Sequence, residues 1–306
     1  MKKLLIIDTF NFLHRAYHAL PSTFRGPDGQ PTNAVYGFTS MVLNVLEQIK
    51  PDYMVAALDG QEPTFRVGEF TAYKAQRKPM EDDLQVQIPK VFEILDAFEI
   101  KRIVVEGYEA DDVIGTVAAK FKGKVDIVIV SNDKDLWQLA GNGNIIMVPG
   151  KKGEMEWMGE KEVDARLGFE AEKVADYKGL RGDPSDNIPG VFGVGEVTAT
   201  KLLQKYGHLE DIYKNIDSVE PESLRNKLLE SYEQALMSKK LAQIILDVPF
   251  QLDLEECRYR EINKIKVKEV LEKYHFKSLI KRMGFEVDGS SKGKGAEPPD
   301  NQLSLL

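Results

Sequence analysis

Apolar residues gather in short, nearly continuous runs over the first half of the chain, at Leu4–Ile7, Tyr53–Leu58, Ile103–Val105, Val125–Val130 and Ile145–Val148. Runs of this length without polar alternation are what strands buried on both faces require, so each predicts a strand. Between them, helical patterns run over Ala34–Ile49, Asp83–Phe98 and Asp111–Phe121. Strand–helix alternation predicts an α/β fold with a mainly parallel central sheet flanked by helices. From about Glu160 the strand pattern nearly stops, and helices are expected at Lys161–Leu167, Ala171–Leu180, Val197–Tyr206, Glu222–Ile245 and near Lys266–Lys281. From Asp288 to Asn301 the chain is rich in Gly, Ser, Lys and Pro, a composition that builds no core and predicts disorder.

Composition changes this picture little. With 306 residues, 42% hydrophobic and 29% charged, the chain has material for one large domain or two small ones. No apolar run reaches the roughly 18 residues of a membrane span, and only four apolar residues precede Asp8 at the start, too few for a secretory leader. One cysteine, Cys257, offers neither a disulfide framework nor a thiolate metal site. A cytoplasmic protein is expected. The net charge of −8 argues against nucleic acid at first sight. Nine of the 49 acids, however, sit in the motifs below, and the other 40 are balanced by 41 basic residues.

Three predicted strands end in acid. Leu4–Ile7 runs into Asp8, Tyr53–Leu58 into Asp59, and Val125–Val130 into Ser131-Asn-Asp133-Lys-Asp135. Open parallel sheets bind ligands beyond the carboxyl ends of their strands, so acids far apart in sequence can converge there. A fourth group, Glu109-Ala-Asp111-Asp112, follows Ile103–Val105 and opens a helix, with Glu109 and Asp112 on one face of it and Asp112 open between a metal ligand and a first-turn helix acid. Clustered carboxylates need cations. An all-oxygen ligand set suits magnesium, with manganese as substitute, and two such ions about 4 Å apart promote phosphodiester hydrolysis.

A glycine-rich segment, Gly179 to Lys201, carries Asp183 and Asp186 and then Gly190, Gly193, Val194 and Gly195 before a helix containing Thr198 and Lys201. Open amides beside a helix N-terminus make an anion site suited to a DNA phosphate. A dinucleotide fingerprint fails here, because no strand precedes the glycines and Thr198 stands at the third glycine position. A third segment, Thr64–Leu84, interleaves Arg66, Lys74, Arg77 and Lys78 with Phe65, Phe70 and Tyr73. Such a pattern fits single-stranded DNA and fits equally a solvated helix with an apolar stripe. Arg15 is open between a phosphate contact and an ion pair.

Six segments together resemble the 5′ nuclease domain of bacterial family-A DNA polymerases, within the flap endonuclease family. They are Leu5-Ile-Ile-Asp8 with Arg15-Ala-Tyr-His-Ala-Leu20, Asn33-Ala-Val-Tyr-Gly-Phe38, Tyr73-Lys-Ala-Gln-Arg77, Gly107-Tyr-Glu-Ala-Asp-Asp112, Ser131-Asn-Asp-Lys-Asp-Leu136 and Gly182-Asp-Pro-Ser-Asp-Asn-Ile-Pro-Gly190. The resemblance spans roughly residues 1–285. It implies a PIN-like nuclease domain over 1–160 with a helical arch at about 63–85, and a helical DNA-binding part over 161–287 with a helix–three-turn–helix at about 175–206. By the same likeness Asp8, Asp59, Glu109, Asp111 and Asp133 hold one metal, and Asp135, Asp183 and Asp186 hold or surround the second. Lys74 and Arg77 meet the scissile phosphate, and the hairpin grips duplex DNA with a potassium ion. The implied activity is two-metal 5′-3′ exonuclease and flap endonuclease cleavage, removing 5′ flaps and RNA primers in replication and repair.

Three positions depart from the family pattern: Thr9, usually Gly; Phe192, usually Pro; and Val197, usually Lys. None is an implied metal ligand. After the linker over 288–301, the terminal segment with Gln302, Leu303, Leu305 and Leu306 resembles the motif that docks bacterial repair proteins into the sliding clamp. A non-catalytic, clamp-tethered DNA-binding adaptor is the alternative function.

Overall fold

The computed structural model describes residues 1–141, 143–150, 154–260 and 262–286; the clamp-like residues Gln302, Leu303, Leu305 and Leu306 lie outside these. The chain begins with β1 (Lys3–Asp8), α1 (Thr9–Ala19), α2 (Asn33–Ile49) and β2 (Tyr53–Leu58). Next come α3 (Phe65–Glu69), α4 (Asp82–Gln85), α5 (Ile88–Ala97), β3 (Lys101–Val104), α6 (Ala110–Phe121) and β4 (Asp126–Val130). Two further strands, β5 (Asn144–Pro149) and β6 (Met155–Met158), precede α7 (Glu160–Leu167) and α8 (Val174–Arg181). The remainder is helical: α9 (Glu196–Tyr206), α10 (Leu209–Lys214), α11 (Glu222–Glu230), α12 (Tyr232–Ala242), α13 (Lys264–Lys273) and α14 (Lys277–Arg282).

One sheet runs in the order β3-β2-β1-β4-β5-β6. Every pairing is parallel except β5 with β6, a strand the apolar pattern did not announce. The chain builds outward from β1 through β2 to β3, then returns to place β4 on the other side of β1. That reversal opens a crevice at the carboxyl ends of β1 and β4, where Asp8 and the Ser131–Asp135 segment lie. Alternate residues feed opposite cores, Leu5 and Ile7 on one face and Leu4 and Ile6 on the other, all fully buried.

Helix boundaries moved where the backbone had a reason. The helix expected over Asp83–Phe98 is two, with Val86 and Gln87 between them, because Pro89 in the first turn of α5 has no N–H to carry the hydrogen-bond ladder on from α4. Buried Gln87 instead uses its carbonyl to accept from Ala34 and Val35 N–H, at 2.9 and 3.3 Å, and so caps α2. The stretch Glu222–Ile245 likewise breaks at Ser231, and Lys266–Lys281 breaks before His275, whose φ is +60°. Residues expected to form one helical half divide between cores. Phe169 to Ala235 form their own, whereas Val267, Leu271, Phe276, Leu279 and Ile280 return to pack on the sheet. Among the described residues no helix is long and apolar enough to cross a membrane.

Candidate metal centre and nucleic-acid interface

A cleft of about 1200 Å³ opens at the carboxyl edge of the sheet, and Asp8, Asp59, Glu109, Asp111, Asp133, Asp135 and Asp186 all line it. Each is held by its local chain. Asp8 ends β1 and caps α1, accepting from Asn11 N–H at 3.2 Å and from the Ser131 hydroxyl at 2.8 Å. Asp59 accepts from Ala110 N–H at 2.8 Å and so anchors the start of α6. Past β4 the chain turns on its own acids: Asp133 N–H donates to Ser131 Oγ and Asp135 N–H to Asp133 Oδ1, at 3.0 and 2.9 Å. Asp183 joins from the other side, since one oxygen each of Asp135, Asp183 and Asp186 lie within 4.8 Å of one another.

So many carboxylates at one place resist ionisation. Burial first, and then neighbouring Asp133 and Asp59, push the Asp8 carboxyl up to about 7 despite its hydrogen bonds. Burial and the charges of Asp133, Asp8 and Asp135 hold Asp111 well above the carboxylate range. Asp59 is raised by burial, and Asp135 is raised to about 6 by burial and Asp133, against the pull of Lys178. The fold answers with cations. The Lys178 ammonium bridges Asp135 and Asp183, and Arg77 pairs with Asp186. The Lys74 ammonium lies 2.8 Å from Glu109 and 3.8 Å from Asp186. Burial pulls the Lys74 ammonium down, but Glu109 and Asp186 outweigh it and keep it charged. A donor set made only of oxygens, with positive side chains drawn into it, fits hard divalent cations.

Because these acids titrate higher folded than unfolded, the folded protein binds extra protons between pH 4 and 7. Their contribution to stability therefore falls as pH rises through that window. We expect the protein in EDTA to melt lower at pH 8 than at pH 5.5, and Mg2+ to raise the melting temperature at pH 8 much more than at pH 5.5. Differential scanning fluorimetry reads both; a Mg2+ effect indifferent to pH would contradict a shared carboxylate site. At a hundred times its dissociation constant the ion adds about 2.7 kcal/mol.

The segment expected as a helical arch holds only short α3 and α4 with turns between, and it lies across the cluster. Lys74, at φ +54°, donates its N–H to Asp186 O, and Asn187 reaches Ala72 O, so the arch is laced to the Asp183–Ile188 loop. Tyr73 corrects the expectation of a stacking residue. Its ring is buried and its hydroxyl donates toward Glu109 and Asp186 at 3.1 and 3.3 Å, leaving no face for a base. Asp112 corrects another. It is fully buried outside the cleft, and both oxygens are taken by the Arg66 guanidinium and by the N–H groups of Glu109 and Ile245. No oxygen is left to ligate a metal. Arg15 lines the cleft with its guanidinium donating to Gly150 O at 2.6 Å. Lys178, Asn11, His14 and Asn132 belong to the site or its walls and were not foreseen. Only the position of Lys178, five residues before Asp183, could have marked it.

At the hairpin, glycine serves packing as much as ligand approach. A side chain on Gly190 would meet Gly182 N at 2.1 Å, and its N–H already donates to Ser238 Oγ at 3.0 Å. Val194 is buried and donates its N–H to Val191 O. Neither amide is free for a phosphate, which corrects the expectation for both. What does face outward is Gly193, Gly195, Lys201, half-buried Thr198, and the first-turn N–H groups of α9, whose first backbone bond is Ala199 to Gly195. Phe192 and Val197 stand beside them, 85% and 67% exposed. Gly190→Ala is expected to cost about 3 kcal/mol or more, from a left-handed φ plus a backbone clash. Urea unfolding reads that loss; a change below roughly 1 kcal/mol would mean the two segments part easily.

Comparison with known proteins follows this geometry. Residues 3–168 match the family described as "5'-3' exonuclease, N-terminal resolvase-like domain", and residues 169–265 match "5'-3' exonuclease, C-terminal SAM fold". The DNA polymerase I of Caldicellulosiruptor bescii is 46% identical over 286 residues, covering 92% of this chain and 33% of that protein. This chain therefore spans about a third of that polymerase. The 5′-3′ exonuclease of Aquifex aeolicus is 37% identical over 286 residues, covering 92% of this chain and 96% of that one. In fold, the chain is similar to the T5 5′-exonuclease with bound zinc, at TM-score 0.65 and 20% identity over 89% of this chain and 99% of that one. It is similar too to a bacteriophage T5 flap endonuclease in complex with DNA and metal ions, at TM-score 0.65 and 18% identity over 90% of this chain and 100% of that one. By both halves of its sequence, the chain belongs to the 5′-3′ exonuclease family.

Proposed function

We propose that this nuclease cuts DNA at 5′ flaps, nicks and single-strand–duplex junctions in a divalent-metal-dependent reaction, removing flaps and RNA primers in replication and repair. One observation carries the reading: acids from four strand ends and from the Asp183–Asp186 loop meet in a single cleft with Lys74 and Arg77 beside them. Asp8, Asp59, Glu109, Asp111 and Asp133 would hold one ion, and Asp135, Asp183 and Asp186 the other. Two Mg2+ ions, or Mn2+ in their place, supply charge neutralisation at the scissile phosphate and lower the pKa of the attacking water.

The chain's own groups do the rest. Lys74 and Arg77 orient the phosphate and offset its developing charge. Gly193, Gly195 and the start of α9 receive a duplex phosphate, with Lys201 one turn further along and a potassium ion at the hairpin. Arg15 lines the path of the 5′ strand. The protein works as a cytoplasmic, nucleoid-associated monomer, and the segment with Gln302, Leu303, Leu305 and Leu306 docks into the sliding clamp.

A 5′-labelled flap duplex incubated with Mg2+, against an EDTA control, tests this directly. Metal-dependent scission near the junction is expected. Binding without scission in Mg2+ or Mn2+ would replace the reading with a DNA-binding adaptor.

A further inference from the structure

Behind the cleft lies a charged pair that the proposed chemistry does not use. Arg66, at the root of the arch, is 2% exposed, and Asp112, on the first turn of α6, is 0% exposed. The guanidinium grips the carboxylate with both arms, at 2.6 and 2.8 Å. Two further donors reach Leu241 O and Gln243 O at the end of α12, each at 2.8 Å. The carboxylate in turn accepts from Glu109 N–H at 3.1 Å and from Ile245 N–H at 2.9 Å. Three segments far apart in sequence are thereby fixed at one point: the arch root, the turn carrying Glu109 and Asp111, and the exit of α12.

A pair buried this deeply is weak evidence for stability, since desolvation offsets most of its attraction and an apolar replacement often does as well. Its placement is more telling. One Arg66 nitrogen sits 3.7 Å from the Glu109 carboxylate that Lys74 and Tyr73 also hold. Glu109 is thus fixed through its backbone by Asp112 and through its side-chain field by Arg66. Groups that orient a metal ligand without touching the metal commonly set its affinity.

We propose that Arg66 and Asp112 act as one positioning unit that fixes Glu109 in the carboxylate cluster and ties the arch root to the end of α12, with neither residue touching metal or DNA. The proposal rests on the metal-nuclease reading above. It is tested on the full chain with Arg66→Gln, Asp112→Asn and the double variant, and with Arg66→Lys, which keeps the charge and loses the fork.

Three readouts separate the possibilities: the Mg2+ concentration giving half-maximal single-turnover flap cleavage, the rise in melting temperature on adding Mg2+, and duplex affinity in EDTA. Each single variant is expected to need about 10-fold more Mg2+ or greater, by cleavage and by melting alike. The double variant should be no worse than either single, as for residues acting through one contact. Duplex affinity should stay within about 2-fold, since the outward surface of α9 is untouched.

Additive losses in the double variant would overturn the unit. So would an Arg66→Gln enzyme with the original Mg2+ requirement beside an Asp112→Asn enzyme inactive at saturating Mg2+, which would make Asp112 a ligand in its own right. A purely structural role would lower the melting temperature and leave the Mg2+ requirement unchanged. If the parent protein fails to cleave at all, the function reading falls, and the Mg2+-induced melting shifts still decide the pairing. Should a single variant not fold, the double variant and Arg66→Lys, in which no buried charge is left bare, give the same comparison.

Discussion

Asp111→Asn is expected to lower flap cleavage by about 10³-fold or more, some 4 kcal/mol of barrier, while making the protein without metal more stable at pH 8. The two effects share a cause. Among the described residues no hydrogen-bond donor reaches the Asp111 carboxylate, and it faces the cleft amid Asp133, Asp8 and Asp135. Burial and those charges hold its pKa well above the usual value, so the fold resists its ionisation and carries a cost that grows as pH rises. Asparagine removes that anion and with it a donor to the metal. As pH falls the parent carboxyl takes up its proton, so the gain should shrink on going from pH 8 to pH 5. Melting curves in EDTA at both pH values, with single-turnover cleavage in Mg2+, measure the pair of effects. A variant that cuts at the parent rate would remove Asp111 from the site, and one that melts lower at pH 8 would remove the like-charge argument.

The strands and their terminal acids were legible because both signals are local. An unbroken apolar run such as Tyr53–Leu58 can be satisfied only by burial on two faces, and an Asp directly after it lies at the carboxyl edge. Convergence of those acids followed from parallel order alone. What stayed hidden depended on partners distant in sequence. Asp111 and Asp112 are neighbours, yet a helix turns about 100° per residue. One faces the cleft, and the other faces a guanidinium 46 positions away in the chain. Nothing at the motif itself decides which is which. Tyr73 looked like a stacking residue because it stands among basic ones; its burial comes from Ala175, Ile188 and Leu241, contributed by the helical part. The hairpin glycines looked uniformly open, but Gly190 is required by the backbone of Gly182 and has spent its amide on Ser238. Helix α1 was missed because it starts at Thr9 with no loop after β1, leaving no turn signal to mark it.

Lys74→Ala should cut cleavage by about 10² to 10³-fold while changing duplex affinity by less than roughly 3-fold. Its side chain is 25% exposed against 55% for that of Arg77. The less hydrated cation stabilises developing charge more strongly, so Arg77→Ala is expected to cost only about 10-fold. Alanine is a fair probe at φ +54°, because it carries the same β-carbon penalty as lysine there. Equal losses in cutting and binding would make Lys74 a grip on the strand rather than a catalytic residue. Stability gives an independent sign. Lys74 is a counterion to Glu109 and Asp186, so its loss should lower the metal-free melting temperature at pH 8, opposite to Asp111→Asn. Two substitutions in one cleft that both stop the reaction but shift stability in opposite directions would identify the site as a carboxylate cluster short of positive charge. A pair that shifted stability in the same direction would show that the cleft is held by packing, with its charges incidental.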